Sequence, residues 1–202
     1  MDDIVLTGNN LAEINQITTL LHQHLCIKNL GDLTYFLGLE IARNNTGIHL
    51  SQRKYTLDLL TETGMLACAP SLTPMAHTLR LTPDKGERLN EEEATSYRRL
   101  IGRLIYLTNT RPDIAYAVNH LSHFVSAPTN IHSQAAFHVL KYLKASPGVG
   151  IFLHNNTPVQ IKVYNDSDWA TCPETRKSIT GFCVYLGETL ICLLYTSPSP
   201  RD

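Results

Sequence analysis

Long apolar runs are missing from these 202 residues: nowhere do 18 apolar residues follow one another, so no membrane-spanning helix is expected. The opening Met-Asp-Asp carries neither the basic nor the apolar region of a secretory signal, which argues against export. Cysteine is sparse. The five present, Cys26, Cys68, Cys172, Cys183 and Cys192, are odd in number, widely spaced and without a C-x-x-C pair. That excludes a disulfide framework and a cysteine zinc site, and it fits a reducing compartment. Charge is low as well, at 17% of residues against about 25% in an average soluble domain. With 17 basic and 18 acidic side chains, the net charge of −1 gives the whole chain no strong field of either sign. What is present is 43% hydrophobic residues, enough for a core and too many for general disorder. The length suits one or two domains.

The charge is unevenly spread. Residues 1–94 hold 7 basic and 12 acidic side chains, and residues 95–202 hold 10 and 6. Within 95–146, Arg98, Arg99, Arg103, Arg111, Lys141 and Lys144 face only Asp113. Such a surface can meet phosphate, and it can equally be a solvated helix face. His120, His123, His132 and His138 fall in the same stretch, but no cysteine or carboxylate pattern completes a metal site, so they read as ordinary helix histidines.

The chain opens with a short strand-like run, Ile4 to Leu6. A turn and a helix come next, capped by Asn10 with Glu13 three residues on. Residues 33–50 read as a hairpin turning at Asn44 to Gly47. A helix over 52–63 closes at Gly64. Residues 67–94, with Pro70, Pro74, Pro83 and the run Glu91 to Glu93, read as a linker. Three helices occupy 95–146. The first carries the stripe Tyr97, Leu100, Ile101, Leu104 and Ile105, and the second starts at Pro112. From about 150 the pattern turns to strands that begin a new sheet. The expected class is α+β.

Two acidic groups stand beside strand signals: Asp2-Asp3 before Ile4, and Asp166 with Asp168 after a strand ending at Tyr164. Carboxylates at strand ends suit Mg²⁺, and two such ions about 3.5–4 Å apart serve phosphoryl transfer. The same residues also fit a solvated terminus and a turn whose carboxylate binds its own backbone.

The order of motifs along the chain is more specific. Asp2-Asp3-Ile4-Val5-Leu6-Thr7-Gly8 resembles the Asp-Asp turn of reverse transcriptases. The segments Leu30 to Ile41, Leu50 to Tyr55, Tyr97 to Leu107 and Thr110 to Ile114 resemble the segments downstream of that turn in Ty1/copia-type retrotransposon polymerases. Tyr164 to Ala170 and Arg176 to Phe182 resemble the start of that family's RNase H domain. The resemblance covers about residues 1–192.

The resemblance implies a partial palm and thumb over 1–66, a linker over 67–94 and a helical connection over 95–148. The opening strands of an RNase H-like sheet would occupy 149–192. Asp2 and Asp3 would be two of three palm carboxylates, with Asp2 the more direct metal ligand, and Asp166 the first RNase H carboxylate. Residues 34–50 would support the primer end. Arg98, Arg99, Arg103, Lys141 and Lys144 would lie near nucleic acid. The cofactor would be Mg²⁺, two ions per site, with Mn²⁺ as a substitute. The partners would be an RNA template, a DNA primer and the RNA–DNA hybrid, in a cytoplasmic virus-like particle. The chain departs from the pattern at both ends. The third palm carboxylate and the later RNase H acids do not appear, and residues 193–202 match nothing in the family and are expected to be disordered. The reading is therefore a fragment of such a polyprotein, inactive alone. The alternatives are a non-catalytic nucleic-acid-binding or scaffold module from the same element, and the product of a pseudogene.

Overall fold

A computed structural model of the chain describes residues 4–25, 27–76, 81–156, 158–168 and 179–195. Helix α1 (Leu11–His24) starts where the cap predicts: the Asn10 side chain accepts from the Ala12 and Glu13 amides, and its Nδ2 donates to Glu13 at 2.8 Å. None of its residues is buried, and Leu11 remains 72% exposed. Periodicity formed the helix, but its apolar stripe is only partly covered: Ile14 and Leu21 are half-buried, while Leu11, Ile17 and Leu20 stay exposed. Ile4 to Leu6, expected as a strand, pair with no strand among the described residues.

The hairpin forms as expected. Strands β1 (Tyr35–Phe36), β2 (Leu39–Asn44) and β3 (Gly47–Ser51) run antiparallel, and Asn44 Oδ1 accepts from the Thr46 and Gly47 amides at 2.9 Å. Strand β4 (Ile151–His154) departs from expectation. It does not begin a new sheet but pairs antiparallel with β3, a hundred residues upstream in sequence. Two glycines permit the approach. A Cβ at Gly47 would lie 2.1 Å from the Leu153 carbonyl oxygen, and one at Gly150 would lie 2.0 Å from that of Leu50.

The core is helical. Helix α2 (Arg53–Glu62) contributes Leu59 and Leu60, α3 (Glu91–Leu107) contributes Tyr97, Leu100, Ile101, Leu104 and Leu107, and α5 (Asn130–Ala145) contributes Val139, Leu140 and Leu143. Helix α4 (Ala115–Ser122), entered through a 3₁₀ turn (Pro112–Ile114), adds Val118 and Leu121. Ile105 was expected in this stripe and is instead 49% exposed, because the buried set 94, 97, 100, 101, 104, 107 leaves it outside the face. Glu91 to Glu93, expected in a linker, form the first turn of α3. Asn90 and Glu93 make a reciprocal capping box, and the three carboxylates sit at the positive end of the helix dipole.

Strands β5 (Ile161–Asp168), β6 (Ile179–Leu186) and β7 (Thr189–Tyr195) form a second antiparallel sheet in that order. Leu193 and Leu194, expected to be disordered, pair with Cys183 and Phe182. Residues 196–202 of the expected tail lie outside the described residues. β7 packs against α4 and β4, and Thr189 Oγ1 donates to the Phe152 carbonyl at 2.5 Å. Among the described residues no helix is long and apolar enough to cross a membrane.

A buried ion pair joins these pieces. Arg111 is 1% exposed. Its Nε and Nη2 donate to Asp113 at 2.9 and 2.7 Å, and its Nη1 donates to the Ser146 carbonyl at 2.8 Å. The Tyr142 hydroxyl donates to Asp113 at 2.8 Å. Asp113→Ala strands a buried guanidinium. It should cost about 3 kcal/mol, at the low end for a broken buried pair because Asp113 is partly exposed. Urea denaturation of the two proteins at neutral pH checks this. A change under about 1 kcal/mol contradicts it.

Candidate functional site

Asp2 and Asp3 lie outside the described residues. Asp166 is described, and its setting differs from expectation. β5 does not end at Tyr164 but runs on to Asp168, so Asp166 sits within the strand, opposite Gly181. Its exposed carboxylate accepts from the Ser167 amide at 2.9 Å. Among the described residues no three His, Cys, Asp or Glu side chains are grouped to hold a metal. Two divalent ions need carboxylates gathered around both. One exposed carboxylate on β5 does not fit a pair of Mg²⁺ or Mn²⁺ ions.

The five basic candidates do not share one surface. Arg98 turns toward α4, donating to the Val125 carbonyl at 3.0 Å and to Glu91 at 3.2 Å. Arg99 and Arg103, one turn apart, line a groove of about 500 Å³ between α2, α3 and α5. Its walls also carry Glu62, Glu92 and Glu93, and apolar side chains including Leu59, Leu100 and Phe137. Arg103 pairs with Glu62 and lies 5.2 Å from the Tyr55 ring centroid. Lys144 donates to the Cys68 carbonyl. The Lys141 side chain is exposed, while its carbonyl accepts from the Ser71 amide at 3.1 Å. Among the described residues, no hydrogen bond or ion pair engages the side chains of Arg99 and Lys141. Three carboxylates against two guanidiniums make the groove a poor path for a phosphate backbone.

Arg111, counted in the sequence with the basic surface, and His132, read as a helix-surface or core histidine, both prove to be interior. Arg111 belongs to the buried pair with Asp113. Burial acts to raise the Asp113 carboxyl, and the Arg111 guanidinium and Tyr142 hydroxyl outweigh it, holding Asp113 below the usual carboxylate range. The spacing Arg-Pro-Asp was the available signal, since proline fixes the turn that brings the two side chains together. His132 is fully buried and stacks on Phe124 at 4.0 Å between ring centroids. Its Nδ1 accepts from the Thr129 amide at 3.0 Å, doing for α5 what Glu93 does for α3. The ring nitrogen takes this proton only when it is unprotonated.

A family model and several known proteins align with the chain. A family model described as "Reverse transcriptase (RNA-dependent DNA polymerase)" matches residues 1–77. The Retrovirus-related Pol polyprotein from transposon RE2 of Arabidopsis thaliana is 44% identical over 187 residues, covering 93% of this chain and 13% of that protein. The corresponding polyprotein from transposon TNT 1-94 of Nicotiana tabacum is 32% identical, covering 90% of this chain and 14% of its own length. The Uncharacterized mitochondrial protein AtMg00810 of Arabidopsis thaliana is 37% identical over 191 residues, covering 95% of this chain and 78% of that protein. The chain thus spans about an eighth of the RE2 polyprotein. No solved structure matches it.

Burial lowers the His132 pKa below its ordinary value, so between the two values the unfolded chain binds more protons than the folded one. The stability from neutral His132 is then full above about pH 6.5 and declines as pH falls below it. Thermal unfolding midpoints of wild type and His132→Gln, measured from pH 7.5 to 5, check this. Wild type should lose stability more steeply on acidification than the glutamine variant, and parallel curves contradict the assignment.

Proposed function

The chain belongs to the reverse transcriptase family carried by the Pol polyproteins of copia-type retrotransposons, and on that footing we propose that it is a segment of an RNA-directed DNA polymerase. The segment runs from the end of the palm, through the thumb start and a helical connection, into the first strands of RNase H. The observation that carries this is the match to the RE2 polyprotein over 187 residues at 44% identity. The order of elements agrees with it: a hairpin, a helical group, then a separate three-stranded antiparallel sheet.

In this reading the intact polyprotein copies an RNA template from a DNA primer and hydrolyses the RNA strand of the hybrid, within a cytoplasmic particle. The family generally uses divalent metal ions. Asp2 and Asp3 contribute carboxylates to the polymerase centre and Asp166 to the RNase H centre, with Mg²⁺ the proposed ion. The chain alone is inactive in this reading, because Asp2 and Asp3 supply only two of the three palm carboxylates that hold the two ions. Primer extension on an RNA template with Mg²⁺ or Mn²⁺ should give no incorporation above background. Incorporation by pure chain that disappears in Asp2→Asn would falsify this.

A second reading, a non-catalytic nucleic-acid-binding module, is favoured by one observation: Arg99 and Lys141 present side chains with no internal partner among the described residues. With only these two of the five candidates open, binding to RNA–DNA hybrid through them should weaken with salt at a log–log slope of about −1 to −2. Arg99→Ala should flatten that slope by about 0.9. Filter binding at several salt concentrations measures it, and a slope unaffected by Arg99→Ala removes Arg99 from the interface.

A further inference from the structure

Strand β5 pairs with β6 along one edge, and among the described residues no strand pairs with its other edge. Its side chains from Ile161 to Ser167 are exposed, with Ile161 at 69% and Tyr164 at 61%. The Gly187 amide donates to the Gln160 carbonyl at 2.8 Å, which makes these two a hydrogen-bonded pair at the start of the ladder. Bonded and non-bonded pairs alternate along an antiparallel ladder. Lys162, Tyr164 and Asp166 therefore bond toward β6, opposite Tyr185, Cys183 and Gly181. Ile161, Val163, Asn165 and Ser167 turn their backbone groups to the open edge. A row of this kind is a template for another strand.

The residues of β5 decide which strand. Lys162 and Asp166 point to one face of the sheet, with Tyr164 between them. Among the described residues neither charge has an ion-pair partner, and Asp166 accepts only from the Ser167 amide beside it, at 2.9 Å. When two identical strands pair antiparallel about a two-fold axis, residues equidistant from the axis face each other. An axis at Tyr164 sets Lys162 of each copy opposite Asp166 of the other. Val163 then faces Asn165, so two outward-turned backbones meet and exchange hydrogen bonds. Lys162 and Asp166 fall in a non-bonded pair, where Cα atoms are about 4.5 Å apart and side chains are closest. An axis at Val163 would set Lys162 against Tyr164, and one at Asn165 would set Asp166 against Tyr164. An axis between residues would set inward-turned backbone against outward-turned. The two charges therefore meet only with the axis at Tyr164.

We propose that β5 is a docking edge for a second copy of this chain, the two strands pairing antiparallel about a two-fold axis at Tyr164, with Lys162 of each copy against Asp166 of the other. The pairing satisfies the outward N–H and C=O groups and joins the three-stranded sheets of the two copies into one. It also brings Ile161 and Val163, on the face opposite the charges, beside the strand of the second copy. The contact uses the same edge on both sides and closes on itself, so assembly ends at a dimer. Because the ion pairs lie at an exposed edge, salt weakens them.

Sedimentation velocity of the full chain over a wide range of concentration reads the assembly. Wild type should show a concentration-dependent dimer that weakens as salt rises. Lys162→Glu and Asp166→Lys should each weaken it by about tenfold or more, because each reversal sets like charges opposite each other at both symmetric contacts. The double variant should return to within about threefold of wild type, which a misfolded sheet could not do. The register has its own readout. Tyr164→Cys should form a disulfide across the axis under mild oxidation, identified by mass spectrometry of the linked peptide, since residues facing each other there are within disulfide reach. Val163→Cys should not. A monomer at every concentration overturns the proposal, as does a dimer indifferent to both reversals or a double variant that stays monomeric. Assemblies that grow past the dimer overturn the closed two-fold pairing, and a disulfide at Val163→Cys in place of Tyr164→Cys overturns the register.

Discussion

A guanidinium taken out of water must be answered on every side, and Arg111 is answered by three residues from two parts of the chain. Asp113 supplies a forked carboxylate, Ser146 a carbonyl from the end of α5, and Tyr142 steadies the carboxylate from the last turns of α5. The neighbouring Thr110 hydroxyl donates to Gln52 at the start of α2, at 2.8 Å and fully buried. The loop between α3 and α4 thus fixes where α5 ends and where α2 begins. The chain leaving α5 becomes β4, and the chain entering α2 is β3. Their pairing is a consequence of the same junction, completed by Gly47 and Gly150, which let the two backbones close.

The reach of each interaction along the chain decides which parts of the fold were legible in the sequence. Elements governed by nearby residues were readable: the Asn10 cap of α1, the Asn44 turn of the hairpin and the stripe of α3 all rest on spacings of four residues or fewer. The partner of β4 was not readable, since an apolar run such as Ile151 to Leu153 specifies a strand but not its neighbour. Glu91 to Glu93 misled for a related reason. An acidic run looks like a solvated linker until Asn90 is recognised as the cap whose helix it begins. The length of β5 was hidden too, because Asn165, Asp166 and Ser167 are poor strand formers held extended by pairing with β6.

The candidate site was legible only as motifs. Six cations in one stretch suggested one basic surface, but helices distribute neighbours around a cylinder. Arg98 and Arg99 point to different flanks of α3, and Lys144 is drawn to the 65–71 loop. Arg111 left the surface altogether. Counting charges along a sequence overstates a patch whenever some of them serve the interior, and here the partners Glu62, Asp113 and the Cys68 carbonyl had already claimed three.

The remaining open features share a physical character. α1 has a formed helix and a stripe only partly covered, and β5 has a paired inner edge and exposed Ile161, Val163 and Tyr164. In each the local geometry is complete while the apolar surface is not. The helical core between them has the opposite balance, with Leu104, Leu107, Leu140 and Leu143 fully enclosed. Burial at about 25 cal/mol per Å² therefore stabilises the centre of this chain far more than its two flanks. Such a flank gains most from a new neighbour, because its backbone is already ordered and covering its apolar surface costs little further conformational entropy.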